Sequence, residues 1–179
     1  MRYYLDIKII NVEALAMGTH YRGTETERRA LDGYIKLARA AEATGATIND
    51  HLRDYGITVS QFGVLEALYH LGPMTAGELG EKILKSSGNM TLVVDNLVKG
   101  GLVTRKRRSD DRRCVEVQLT AEGRALLAQL WPQHVKRVVA AFSSLSTEEQ
   151  EQFAALCRKL GLAQAALAHE LAEAAPVTR

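Results

Sequence analysis

The feature that most constrains this chain is a helix-start pattern repeated in its middle and followed at once by a charged hairpin. Thr58 and Gln61 form a capping box, in which a hydroxyl and a Gln or Glu side chain satisfy each other's orphan backbone N–H groups, and Ile57 can staple to Phe62. The helix they open stops at Gly72-Pro73. The same pattern returns at Thr75 and Glu78, with Met74 against Leu79, and opens a short helix towards Ile83. After a tight turn at Leu84-Lys85, Ser86 caps a further helix. Met90, Val93, Val94, Leu97 and Val98 bury one face of it, leaving Ser87, Asn89, Thr91 and Asp95 on the other, until Gly100-Gly101 ends it. Leu102 to Arg108 and Arg113 to Leu119 then read as two strands joined by Ser109-Asp110-Asp111. In the second strand Val115, Val117 and Leu119 alternate with Cys114, Glu116 and Gln118.

Two short helices, a tight turn and a hairpin are the order of a winged helix-turn-helix, whose second helix lies in the major groove of DNA. The fold class is therefore mainly α with a small β-hairpin wing. Ser86, Ser87, Gly88, Asn89 and Thr91 form the start of the second helix, where small hydrogen-bonding side chains and free N–H groups can face phosphate and bases. A solvated helix face would look much the same. The hairpin shifts the balance: between Thr104 and Arg113, six cations (Arg105, Lys106, Arg107, Arg108, Arg112, Arg113) stand against Asp110 and Asp111, a net of +4 beside +2 for the whole chain. Like charges so crowded repel, and an anionic partner accounts for them better than solubility does. Arg112 is the expected tip contact in the minor groove. Asp111 is expected to brace a nearby guanidinium, since a carboxylate facing phosphate would itself repel.

The flanks are helical. Thr24 and Glu27 open a long helix through Leu31, Tyr34, Leu37 and Leu52 to near Gly56. Thr120 caps a helix through Leu126, Leu127, Leu130, Val138 and Phe142, with a kink expected from Pro132, and Ser146 with Glu149 opens a last one. The apolar stripe of that last helix, through Phe153, Leu156, Cys157, Leu160, Leu167 and Leu171, calls for a partner helix. At the N-terminus Leu5, Ile7 and Ile9 alternate with Asp6 and Lys8 like a strand; this is either an added arm or residues ahead of a start at Met17.

From roughly Ala30 to Leu171 the chain resembles the MarR-type winged-helix repressors. The resemblance rests on Thr75-Ala76-Gly77-Glu78-Leu79, on Ser87 to Leu97, on Gly101-Leu102-Val103-Thr104-Arg105, on the wing signature Asp111-Arg112-Arg113 and on Leu119-Thr120-Ala121-Glu122-Gly123. It implies a homodimer in which residues 24–56 and 120–175 form the helical dimerisation region, 57–119 the winged DNA-binding domain and 1–23 an N-terminal arm. Two-fold symmetry then implies a palindromic operator in double-stranded DNA, with half-sites ~10 bp apart. Ser87-Gly88-Asn89, Trp131-Pro132-Gln133-His134 and Phe142 to Gln150 look most similar to a subgroup that responds to phenolic or quinone compounds. The family's effector site lies where dimerisation helices meet the winged domain, which makes Tyr34, His51, Tyr55, Tyr69, His70 and Trp131 candidate walls for a small aromatic effector. The expected function is a repressor released by such a ligand.

Two alternatives stand beside it: the same switch operated by cysteine oxidation or a metal, and a helical interaction module that does not bind DNA. Cys114 lies beside Arg112 and Arg113, whose charge favours thiolate, whereas Cys157 is expected inside a helix interface. The two cysteines lack a CxxC spacing and the five histidines lack an HExxH, so neither a disulfide framework nor a metal site is indicated. No nucleophile elbow, phosphate-cradling loop or paired catalytic carboxylate is evident, and the chain reads as a non-enzyme without a cofactor. Asp6 and Lys8 interrupt any signal-peptide core, and no apolar run approaches the ~18 residues of a membrane span, so a cytoplasmic protein without membrane contact is expected.

Overall fold

The computed structural model describes residues 17–108, 111 and 113–174, and of residues 87, 168, 169 and 171–174 the backbone alone. The strand-like pattern near the N-terminus, the Arg112 tip and the Ser87 side chain lie outside the described residues. The capping boxes start the helices as their spacing requires. Thr24 opens α1 (Glu25–Asn49), Thr58 opens α2 (Val59–Leu71) and Thr75 opens α3 (Ala76–Lys82), each with reciprocal bonds to the residue three positions on. Ser86 stands at the N-cap of α4 (Ser87–Lys99), yet its side chain makes no capping hydrogen bond. Then follow the strands β2 (Val103–Arg107) and β3 (Val115–Leu119), α5 (Ala121–Phe142) and α6 (Thr147–Ala174). α5 runs through Pro132 as one helix.

Two elements depart from the sequence reading. The first helix reaches Gly56 in two parts, because the chain tightens after Asn49 into a 3₁₀ turn over Asp50–Tyr55 before Gly56 turns it at φ 66°. At that end Thr47 Oγ1 and Asn49 Nδ2 donate to the carbonyls of Ala43 and Gly45, side-chain bonds that compete with a regular ladder. The second departure is β1 (Met74–Thr75), a short strand that makes the hairpin a three-stranded antiparallel sheet in the order β1-β3-β2. Met74 pairs with Val117 and Thr75 with Glu116. Residues recognisable as staple and cap thus also anchor the wing.

The chain divides at Arg137 into two units. In the first, one core gathers α2, α3, α4, the root of the sheet and the early turns of α5: Phe62, Leu65, Leu79, Met90, Leu97, Val103, Val117, Leu127 and Leu130 are buried together. Close backbone approach locks its corners. A Cβ on Gly80 would come within 2.9 Å of the Lys85 carbonyl oxygen, so only glycine lets the turn between α3 and α4 fold back. A Cβ on Gly123 would overlap the Leu102 carbonyl oxygen. Thr120 fixes this second corner by donating to the Gly101 carbonyl at 2.7 Å while accepting from the Gly123 N–H at 3.0 Å. In the second unit Ser146 and Glu149 cap α6, Gln150 Nε2 donates to the carbonyls of Phe142 and Leu145, and the rings of Phe142 and Phe153 meet edge to face at 6.0 Å.

Candidate nucleic-acid interface

The pairing α3–turn–α4 is built by its ends. The Thr75 N–H and hydroxyl hold the Glu78 carboxyl below the usual carboxylate range, fixing the first turn of α3. At the turn Leu84 adopts φ 54° and is almost fully exposed, while the Lys85 N–H returns to the Gly80 carbonyl at 2.9 Å. α4 then buries Met90, Val93, Val94 and Leu97. Its opposite side exposes Gly88, Asn89, Thr91, Leu92 and Asn96. Ser86 makes no side-chain hydrogen bond to the first-turn N–H groups, which stand at the positive end of the helix dipole.

The wing meets this helix through its alternation. Val103 pairs with Leu119, Arg105 with Val117 and Arg107 with Val115, so these six share one face of the sheet. Only the root of that face, Val103 and Val117, is buried. Arg105, one step further out, reaches across to α4 and places Nη2 2.6 Å from Asp95 Oδ1. The other face carries Lys106 opposite Glu116, and Arg108 Nε lies 3.6 Å from Glu116 Oε1. Arg105, Lys106, Arg107, Arg108 and Arg113 are all exposed. Asp111 Oδ1 accepts the Arg113 backbone N–H at 2.9 Å, an Asx turn, and Oδ2 takes the Cys114 thiol at 3.6 Å. In these bonds Asp111 braces the loop backbone ahead of β3.

The six expected ligand-pocket residues separate. Tyr34 stands out from α1 at 69% exposure and joins none of the described ring contacts. His51 is buried in the 3₁₀ turn, 5.4 Å from the ring of His134 on α5. His134 also packs on Phe62 at 4.4 Å and stacks with Trp131 at 5.9 Å; Trp131 meets His70 at 4.8 Å, and His70 meets Tyr69 at 5.1 Å. Tyr69 lies under the Arg124 guanidinium at 5.6 Å, and the Tyr55 hydroxyl donates to Gln133 Oε1 at 3.3 Å. Four of the six therefore join one aromatic belt, which Phe62 and His134 complete. In the sequence Phe62 reads as a staple and His134 as the end of the Trp131–His134 motif, neither as a wall of the site; the three-residue spacing of Trp131 and His134 on one helix face is the signal that joins them.

Both nitrogens of His51 and Nδ1 of His134 are buried without a hydrogen-bond partner. Burial pushes the His51 pKa down, and Arg137 adds to that; the Ile48 carbonyl, too poorly placed for a hydrogen bond, opposes it, as do Asp54 and Asp50. Burial, then the neighbouring His51, lowers His134. On α2 burial raises the Glu66 carboxyl, opposed by His70. A separate open groove of about 530 Å³ lies between α1, the 3₁₀ turn and the start of α2, lined among others by Ala46, Asn49, Leu52, Arg53 and Val59; none of the six expected residues lines it.

Cys157, expected inside a helix interface, is exposed on α6 within a single chain, so a helix of a second copy would have to cover it. Cys114 is half-buried. Among the described residues no group of three or more His, Cys, Asp or Glu is placed to hold a metal ion, and no helix is long and apolar enough to cross a membrane.

Known proteins carry the same arrangement. The MarR family model matches residues 57–115, the span from α2 to the start of β3. The transcriptional regulator MhqR of Bacillus subtilis is 36% identical over 134 residues, covering 75% of this chain and 92% of its own. The structure of Bordetella bronchiseptica BpsR, described with regulation of its DNA binding by 6-hydroxynicotinic acid, superposes at a TM-score of 0.68 with 26% identity over 79% of this chain and 98% of that one. Sco3205 of Streptomyces coelicolor, a MarR family regulator solved in complex with DNA, shares the fold at a TM-score of 0.70 with 24% identity, over 80% and 91% of the two chains. The identity to MhqR over nearly its whole length, on a helix-turn-helix and basic wing built as described above, makes this chain a member of the MarR family of DNA-binding transcriptional regulators, and not an enzyme.

Proposed function

We propose that this chain is a homodimeric repressor that grips a palindromic operator and is released by a small hydroxylated aromatic ligand. The observation that carries the proposal is the exposed outer side of α4 lying beside a cationic hairpin, the two joined by the Arg105–Asp95 bridge. In this proposal Ser86, Ser87, Gly88, Asn89 and Thr91 meet the major groove, and Arg105, Arg107, Arg108, Arg112 and Arg113 follow phosphate or enter the minor groove. Support for the dimer comes from apolar surface left uncovered. α1 has no buried residue and carries Leu31 and Leu37 on its surface, and α6 presents Phe153, Leu156, Leu160 and Leu167 at helical spacing.

Support for the ligand comes from the aromatic belt. Buried imidazole nitrogens without partners are costly, and a ligand hydroxyl among those rings would satisfy them. The 6-hydroxynicotinic acid named for BpsR is a hydroxylated aromatic acid of that kind. Release requires the ligand to favour a dimer geometry in which the two α4 helices no longer match the groove spacing.

Selection of bound duplexes from a random pool, followed by release with phenols, 6-hydroxynicotinate, oxidants and metals, tests operator and signal together. A selected inverted repeat, a two-chain mass in solution and release by a hydroxyaromatic are expected. Release by oxidant alone, abolished in Cys114→Ser, would replace the ligand by a thiol switch, and release by a metal alone, reversed by a chelator, by a metal switch. Absence of any salt-sensitive, sequence-dependent binding would overturn the proposal altogether.

A further inference from the structure

The centre of the outer face of α4 is occupied by an apolar side chain. Gly88, Leu92, Asp95 and Lys99 follow one another at steps of four, three and four, the stripe opposite the buried Met90, Val93, Val94 and Leu97. Leu92 is 60% exposed there, between the exposed Asn89 and Asn96 on one side and Thr91 on the other. Among the described residues none covers Leu92, although a charged side chain would meet solvent on such a face at lower cost.

Its neighbours on the stripe share this outward character. A Cβ added to Gly88 would meet nothing within 4 Å, so no contact inside the chain calls for glycine, and glycine in a helix costs about 1 kcal/mol relative to alanine. What Gly88 does provide is an unobstructed first turn one step before Leu92. Asp95, which would repel a polyanion, has its carboxylate held by Arg105 at 2.6 Å. The stripe therefore presents bare backbone, then an exposed isobutyl group, then a neutralised acid, bordered by the cations of β2.

We infer that Leu92 reads thymine, packing its side chain against the C5-methyl group in the major groove. That methyl is the one apolar feature a base pair presents there, and every polar residue around Leu92 would address a different atom. The cationic hairpin alongside favours DNA over an apolar protein surface as the occupant. The inference rests on α4 being the recognition helix, as proposed above, and adds a residue that selects by shape where Asn89 and Thr91 select by hydrogen bonds.

The test uses the full chain and the tightest duplex selected from a random pool, with each thymine replaced in turn by deoxyuridine, which lacks only the methyl group. Wild type is expected to lose about fourfold in affinity at one thymine of each half-site, the factor that burying one methyl provides. Leu92→Ala is expected to bind the thymine and uracil duplexes there equally, with an unchanged melting temperature, since the side chain is exposed and alanine favours helix. Indifference of wild type to every such replacement overturns the inference, as does a uracil profile that Leu92→Ala leaves intact. Leu92→Ala that weakens binding equally on all duplexes also overturns it, because a contact made to protein or backbone has no base preference. Failure to select any duplex instead removes the proposed function itself.

Discussion

Replacing Asp95 by alanine separates two roles of the bridge between recognition helix and wing. Asp95 and Arg105 side chains are 40% and 38% exposed, so their 2.6 Å ion pair is solvent-screened and contributes at most about 1 kcal/mol to stability. For a chain of 179 residues that corresponds to a fall of about 2–4 °C in melting temperature or less. The effect on DNA is larger and has a definite sign. In the native pair Asp95 offsets part of the charge that Arg105 turns to DNA; without Asp95 the whole guanidinium charge can act on phosphate, adding up to about 0.9 per chain to the steepness of log affinity against log salt. A fourfold rise in salt would then cost the variant up to about 3.5-fold more affinity per chain than wild type. The selected duplex should gain less from the freed charge than a random one does, because the bridge also fixes the angle between α4 and β2. Fluorescence anisotropy on both duplexes across a salt series measures slope and preference together. A variant with the wild-type slope on both would refute the premise that Arg105 stands within reach of phosphate.

The remaining predictions concern the fold around the site. Gly123→Ala puts a methyl into the Leu102 carbonyl and should destabilise by on the order of 1–3 kcal/mol or more, read as a lower urea midpoint; an unchanged midpoint would mean that the two backbones do not meet so closely. Acid should weaken the fold through the histidine pair. His51 and His134 both have folded-state pKa values below the ordinary one, so above about pH 6.5 they are neutral in both states and contribute no pH dependence. As pH falls through that value, the unfolded chain takes up protons that the folded chain resists, and stability declines until the lowered folded values are passed. Urea midpoints at pH 7.5 and 5.5 should therefore differ more in wild type than in the His51→Leu/His134→Leu variant; equal differences would contradict the desolvation of these two imidazoles.

What could be read without coordinates was local. A capping box links residues three apart, a staple five, and an apolar stripe three or four, so Thr58, Thr75 and Thr120 announced their helices and the wing announced its charge. Ser86 was placed correctly as an N-cap while its missing side-chain bond was not foreseen, because the preference of a residue type for a position does not fix its rotamer. Leu92 was hidden by its own chemistry: on a face read as polar, a leucine is passed over until neighbouring burial shows which way it points.

The amino-acid order by itself therefore decided the helices, the hairpin and the concentration of positive charge, since these follow from short-range periodicity and composition. Only the tertiary structure decided that Met74 joins the wing as a third strand, that Arg105 reaches Asp95, and that His51 and His134 pack with Phe62 and Trp131 in one cluster of rings. Such contacts join residues distant in the chain, and their geometry comes from how packed elements cross, which no window of neighbouring residues encodes.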